Sequence, residues 1–171
     1  MDTIFSPVLN EYSAEKNINI INSICEGNFE ISKKLLSKHS HISTIRDRSG
    51  RNIWGIFIHE HINMFKESRE QFLDFFNYLL KIDLDINDKQ EFLKRPPILI
   101  AAAGDKTAWE LVFFMLSKGA TFNTSDMLQS DIWYYLNYNN YLTHEQKKFY
   151  GEKLRDYIIS QSAYPLYLNH A

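Results

Sequence analysis

The chain is short of the residues and patterns that usually announce a chemistry. Among its 171 residues there is one cysteine, Cys25, so no internal disulfide can form. That fits a reducing compartment. No apolar run approaches the roughly 20 residues needed to cross a bilayer. The opening MDTIFSPVLN has no basic n-region and no continuous apolar core, so no secretory signal is expected and a cytoplasmic location is. Lys and Arg number 19 against 21 Asp and Glu, a net charge of −2. With no basic excess, neither nucleic acid nor an anionic membrane is an expected partner.

Reactive groups are equally sparse. His59-Glu60-His61 invites a metal reading, but zinc helices place ligands four apart on one face, and residues two apart point to different sides. The two histidines, like His39 and His41, read as exposed helix and turn residues. Cys25 could pair with a distant histidine as a nucleophile. A thiolate wants an electropositive setting, however, and Glu26 follows it, so Cys25 reads as a small core residue. Gly104-Asp105-Lys106-Thr107 echoes the end of a phosphate loop without the glycines that precede one. No catalytic triad, metal or cofactor is therefore expected.

What the sequence does have is helical apolar spacing. Pro96-Pro97 opens a short helix over Ile98–Ala103, since proline suits a first turn whose N–H has no partner. Gly104-Asp105-Lys106 breaks it, and Thr107 is placed to cap a second helix. That helix carries Leu111, Val112, Met115 and Leu116 on one stripe, and Gly119 provides its left-handed exit. Such a hairpin cannot bury its own apolar face. Similar stretches precede it at Glu26–Ser43 and Phe72–Asn87, with Leu36, Leu80 and Leu116 as common anchors. Self-similarity near ~33 residues with two helices per period is a solenoid signature.

On these residues the sequence resembles the ankyrin repeat family. Gly104, Leu111, Val112, Met115, Leu116, Gly119, Ala120 and Asn123 match one family element. Pro97, Ile98, Ala101 and Ala102 match an earlier one, and Asp47 and Gly50 match the opening of the copy before. The Thr-Pro-Leu-His tetrapeptide reads Asn52-Ile53-Trp54-Gly55 in the second copy and Ser130-Asp131-Ile132-Trp133 in the fourth. This departure predicts weaker inter-repeat hydrogen bonding. The expected fold is all-α: a short ankyrin-like solenoid over residues 13–161, with copies at about 13–46, 47–87, 88–123 and 124–161. An extension at 1–12 precedes it, and a tail at 162–171 follows, packed by Tyr164, Leu166 and Tyr167.

Local signals fill in the copies. Ser13 is placed to cap the first helix, with Ile18, Ile21 and Cys25 on one face, and Phe29, Ile31, Leu35 and Leu36 supply the second. Ser68-Arg69-Glu70-Gln71 and Thr143-His144-Glu145-Gln146 match capping boxes. The first opens a helix with Phe72, Phe75, Phe76, Leu79 and Leu80. The second opens one with Phe149, Leu154, Tyr157 and Ile158. Trp109 and Phe113 lie beside the Leu111/Val112 stripe; they either cover the Phe-rich helix of the second copy or form an exposed contact patch. Tyr134, Tyr135, Tyr138 and Tyr141 crowd the last copy, and core or cap packing accounts for only some of them.

The resemblance implies a binding module. Family members bind proteins with their finger tips and with the two positions after the Ala-Ala of each inner helix. Carried over, these are Cys25, Glu26, Arg48, Arg51, His59, Glu60, Lys89, Lys94, Ala103, Asn137 and Tyr138. Solvation accounts for the charged ones but poorly for Tyr138. The expected function is non-catalytic: a monomer gripping and occluding one partner protein across a concave face. A composition rich in Ile, Asn and Lys suits an AT-rich bacterial genome. The specific expectation is a bacterial immunity protein neutralising a cognate toxin. The alternatives are an effector that binds a host protein and a small all-helical enzyme with an unrecognised site.

Overall fold

A computed structural model describes residues 7–163, with side-chain environments over 15–161. The predicted tail residues Tyr164, Leu166 and Tyr167 lie outside that range. The described residues are all-helical: α1 (Pro7–Cys25), α2 (Phe29–Leu36), α3 (Ile53–His61), α4 (Met64–Glu67), α5 (Arg69–Lys81), α6 (Pro97–Ala102), α7 (Lys106–Ser117), α8 (Ile132–Asn137) and α9 (His144–Ala163). One 3₁₀ turn, Ile42–Thr44, joins them, and among the described residues the sole pairing of β type is an isolated bridge between Ser125 and Asp131.

The helices pair in chain order and the pairs pack flank to flank. Their first helices form one file, α1 against α3, α3 against α6 and α6 against α8. The second helices form another, held by rings. Phe29 of α2 stacks on Phe75 of α5 at 4.4 Å between centroids. Phe76 of α5 meets Phe114 of α7 at 5.1 Å, and Trp109 of α7 stacks on Tyr150 of α9 at 5.5 Å. Between the files Phe57 of α3 stacks on Phe72 of α5 at 4.6 Å. Each such ring pair contributes about 0.5–1.5 kcal/mol beyond its area burial.

Side-chain donors of one pair reach backbone carbonyls of the pair before it. The imidazole Nε2–H of His61 donates to the Ile24 carbonyl near the end of α1. Asn139, after α8, donates through Nδ2 to Ala102 at 3.1 Å and Gly104 at 2.8 Å, beyond the end of α6. Tyrosine hydroxyls do the same between the second helices: Tyr78 to Lys33 O, Tyr150 to Lys106 O and Tyr157 to Leu116 O. Each such bond ties one pair to the next and favours one docking register.

Several local expectations hold. Proline begins α6, Gly119 has φ +95°, and Thr143 and Gln146 form the reciprocal box that opens α9. Gly104 is also required, because a Cβ there would lie 2.6 Å from the Ala108 Cβ.

Others are corrected. Ser13 falls inside α1 rather than at its start. The buried stripe of α1 is Ile20 and Ile24, while Ile18 and Cys25 are exposed. Both registers are apolar at helical spacing, so periodicity alone does not choose between them. In α2 the buried residues are Phe29, Ser32 and Leu36, and Ile31 is exposed. Phe149 of α9 is exposed as well. Asp105, not Thr107, caps α7, accepting from the Ala108 N–H at 3.1 Å. Ser68 precedes α5 but makes no side-chain cap bond. His61 is buried, edge-on to Phe29.

Asn52 bonds the second pair to the turn that precedes the third. Its Oδ1 caps α3 at the Gly55 N–H, while its Nδ2 donates to the Asp88 carbonyl at 2.7 Å. One amide thus both caps a helix and bonds across to the next turn.

The Asn139 bonds give a test. Asn139→Ala should lower unfolding free energy by roughly 1–3 kcal/mol, and Asn139→Asp by a similar amount, since both lose the donors. Denaturant melts that leave both variants unchanged would show that these bonds contribute nothing to docking.

Candidate functional site

The outward side of the fold that carries most of the predicted positions has two tiers. The lower tier consists of the C-terminal ends of the first helices. The upper tier is the row of turns that enters them: Asp47–Arg51, Asp88–Lys94 and Ser125–Asp131.

In the lower tier, Arg51, His59 and Glu60 come together. Arg51 donates through Nε to Asp47 at 2.6 Å and through Nη1 to Glu60 at 2.7 Å, and His59 Nδ1 lies 3.1 Å from the same Glu60 oxygen. The Arg51 guanidinium holds the Glu60 carboxyl below the usual carboxylate range, outweighing partial burial. Arg51 is therefore already saturated by two carboxylates, which reduces what it can offer a partner. Cys25 lies in the field of this cluster. Burial and the Glu60 charge push its thiol up, against the activation a nucleophile needs. Glu26 is exposed, and its carboxylate accepts from Asn28.

Beside this cluster a cavity of about 400 Å³ runs between α3 and α6, walled by Ile58, Ile62, Ile100 and Ala103, with His59 and Tyr141 at its edges. Two of the predicted positions, His59 and Ala103, thus line one concavity.

The upper tier is bonded tip to tip. The Glu91 N–H donates to Gly50 O at 2.9 Å, and the Met127 N–H donates to Leu93 O at 2.7 Å. Arg48 and Phe92 flank a second concavity, of about 540 Å³. Phe92, Met127 and Leu128 are 65%, 56% and 68% exposed at these tips. Leu93, Lys94 and Gln129 hold positive φ, a conformation that side-chain-bearing residues resist. Lys89 reaches across to the Ser125 carbonyl at 2.9 Å, which ties one of its three N–H donors to the neighbouring turn. Lys94 is exposed.

The last turn is locked to α8 by Asp126. Its Oδ1 accepts the N–H of Leu128 and Ser130, and its Oδ2 accepts the Tyr135 hydroxyl at 2.8 Å. Burial alone would raise its carboxyl, but these three donors hold it below the usual range. Burial and donation to Asp126 push the Tyr135 phenol up to about 12. With Tyr135 turned inward under the Arg95 guanidinium, 5.2 Å above its ring, its neighbours point out. Tyr134, Tyr138 and Tyr141 are 49%, 70% and 74% exposed, and the Tyr134 and Tyr138 rings lie 4.7 Å apart. Asn137 is exposed, its carbonyl accepting from Lys147.

Trp109 and Phe113 are not a contact patch. Trp109 is fully buried, donates to the Ala102 carbonyl and stacks on Tyr150. Phe113 also packs on Tyr150. They cover the fourth pair, and Phe114 takes the expected place against the second pair, touching Phe65 and Phe76. Sequence reasoning missed Phe92, Met127 and Leu128. Their signal was present as large apolar residues inside otherwise polar turns, where a core cannot use them.

No group of three or more potential metal ligands occurs among the described residues. No helix among them is long and apolar enough to cross a membrane. No family model matches the chain, and no curated protein matches it.

Asp126 gives a pH test. A carboxyl held low in the folded state adds stability above its unfolded pKa and loses it as pH falls. Asp126→Asn should therefore cost most above about pH 4 and progressively less below it. A cost independent of pH between 2 and 7, measured by denaturant melts, would mean the charge on Asp126 is irrelevant.

Proposed function

We propose that this protein is a non-catalytic binding module, an ankyrin-like stack of helical pairs that grips one partner protein. The gripping face is formed by the turn tips and the first-helix ends. The observation that carries this reading is the set of exposed large side chains on that face: Phe92, Met127 and Leu128 at the tips, and Tyr134, Tyr138 and Tyr141 at and after α8. Packing does not account for them. Water disfavours them, and tyrosine is among the side chains that dominate interface energetics. The all-helical fold, with its first helices in file, supports the ankyrin-like arrangement.

The site chemistry supports binding over turnover. The one thiol is pushed up, and the charged cluster at Arg51 is internally neutralised. Occlusion of a partner requires only a complementary face, which suits the inhibitor form of the proposal, a bacterial immunity protein against a cognate toxin. Within this reading Tyr138 and Phe92 are the anchors, and Arg48, Lys94 and Glu26 form a polar rim that steers approach.

Binding of the protein co-purified from the native cell provides the test. Tyr138→Ala and Phe92→Ala should each weaken it by about tenfold or more, the 1–2 kcal/mol expected of anchors. Arg48→Ala should slow association and leave dissociation nearly unchanged. Full affinity in the Tyr138→Ala, Phe92→Ala double variant, with the fold intact by circular dichroism, would place the interface elsewhere.

A further inference from the structure

The last pair carries a further concavity that meets the gripping face only at Asn137 and involves none of its exposed aromatic or tip residues. Between α8 and α9 lies a concavity of about 390 Å³. Its lining includes Trp133 and Gly151 together with His144, Lys147, Lys148 and Arg155, and no Asp or Glu. The chain arranges this through helical spacing. His144, Lys148, Gly151 and Arg155 follow one another at four, three and four residues along α9, so they share one stripe. Gly151 keeps the floor of the stripe low, with only Leu136 and Trp133 atoms within reach of a Cβ there.

The charges on this stripe are not consumed by the fold. None of the four basic side chains forms an ion pair with a carboxylate among the described residues. Lys147 donates to the Asn137 carbonyl at 2.9 Å, which leaves its remaining N–H groups directed elsewhere. The Arg155 guanidinium lies 5.6 Å from the Trp133 ring centroid, a cation–π contact that fixes its plane without neutralising its charge. The chain as a whole is slightly acidic, and what sets this groove apart is that its lining brings Lys147, Lys148 and Arg155 to one concavity with no carboxylate among them.

We propose that the α8–α9 groove is a binding site for a compact polyanion of the pyrophosphate type. Arg155 presents a planar pair of donors suited to two phosphate oxygens, and Lys147 and Lys148 supply point charges beside it. A single carboxylate would leave most of the lining charge uncompensated, whereas two linked phosphate groups carry enough charge to meet it. The source of the group is either a free compound or a phosphoryl-bearing end of a larger ligand.

Trp133 is a built-in reporter. It lies in the groove and is half-buried, whereas Trp54 and Trp109 are fully buried in the core. Pyrophosphate titrated into the whole protein at constant ionic strength should change tryptophan fluorescence saturably, and Trp133→Phe should abolish the signal. Lys148→Gln and Arg155→Gln, both at exposed positions, should each raise the half-saturating concentration about tenfold or more, as expected for loss of a charge-assisted hydrogen bond. Isothermal titration calorimetry reads the same shift without relying on tryptophan. Competition by a phosphorylated peptide but not by inorganic phosphate would identify the source as a larger ligand, and the reverse a free compound. A response that chloride reproduces at equal ionic strength, or that survives Lys148→Gln and Arg155→Gln unchanged, would overturn the proposal. Because Tyr138 and Phe92 are untouched, loss of this site leaves the gripping face to be judged by its own variants.

Discussion

The contact on which the rest of the structure depends is the run of stacked phenylalanines between the second helices and the first. Phe29, Phe75, Phe57 and Phe72 pass from the first pair into the second, and Phe76 and Phe114 carry the run to the third. Each ring is covered partly by a neighbouring pair, so no pair keeps its apolar cover if another is removed. A truncated Phe in such a site costs on the order of 3–5 kcal/mol, a large fraction of a typical domain's whole stability. The file of first helices follows from this packing. Rings hold the second helices at a fixed spacing, and the first helices, only six to nine residues long in α3, α6 and α8, are carried along with them.

Short first helices have a consequence at their ends. A six-residue helix has more orphan carbonyls than hydrogen-bonded ones, and α6 and α8 are of that length. The last turn of α6 accepts a side-chain donor from outside, Asn139, and the last turn of the longer α1 likewise accepts one from His61. Both partners belong to the following pair. The bonds that satisfy one helix thus set the position of the next, and the exposed positions just beyond each end are held at regular intervals by groups that are themselves buried. This is how a core-packing solution produces an ordered outer surface.

Much of the fold was legible in the sequence, because apolar spacing reports which residues share a stripe. Proline at the start of α6, glycine after α7 and the box at Thr143 were legible because each depends on local backbone chemistry alone. What was not legible depends on the choice of neighbour. Ile18–Ile21–Cys25 and Ile20–Ile24 are both acceptable stripes for an isolated helix, and only the packing of α1 on α3 selects the second. Trp109 and Phe114 both lie beside the α7 stripe, and which pair each one faces is decided by Tyr150 on one side and Phe76 on the other. Of the outward face, the resemblance pointed to Tyr138, His59 and Arg48, all of which are exposed. It could not show that Arg51 is saturated by two carboxylates, nor that Phe92, Met127 and Leu128 stand out at the tips.

The fourth pair must do two things that conflict. As the last described pair of the stack, it covers the α7 flank with Tyr150 and Tyr157, which requires apolar contact inward and charge outward. The lysines and glutamates of α9 meet that need. They do not account for Tyr134, Tyr138 and Tyr141, which are turned neither to the α7 flank nor into the core. A cap selected only for solubility would place lysine or glutamate at those positions, at small cost because the side chains there bury little. Keeping three aromatic rings in water instead, above a Tyr135–Asp126 lock that rigidifies their backbone, is the arrangement expected of a surface whose apolar area is completed by another molecule. Rigid presentation lowers the entropy lost on docking, so under the proposed binding function the same lock that fixes the last turn would add to the affinity of the rings beside it.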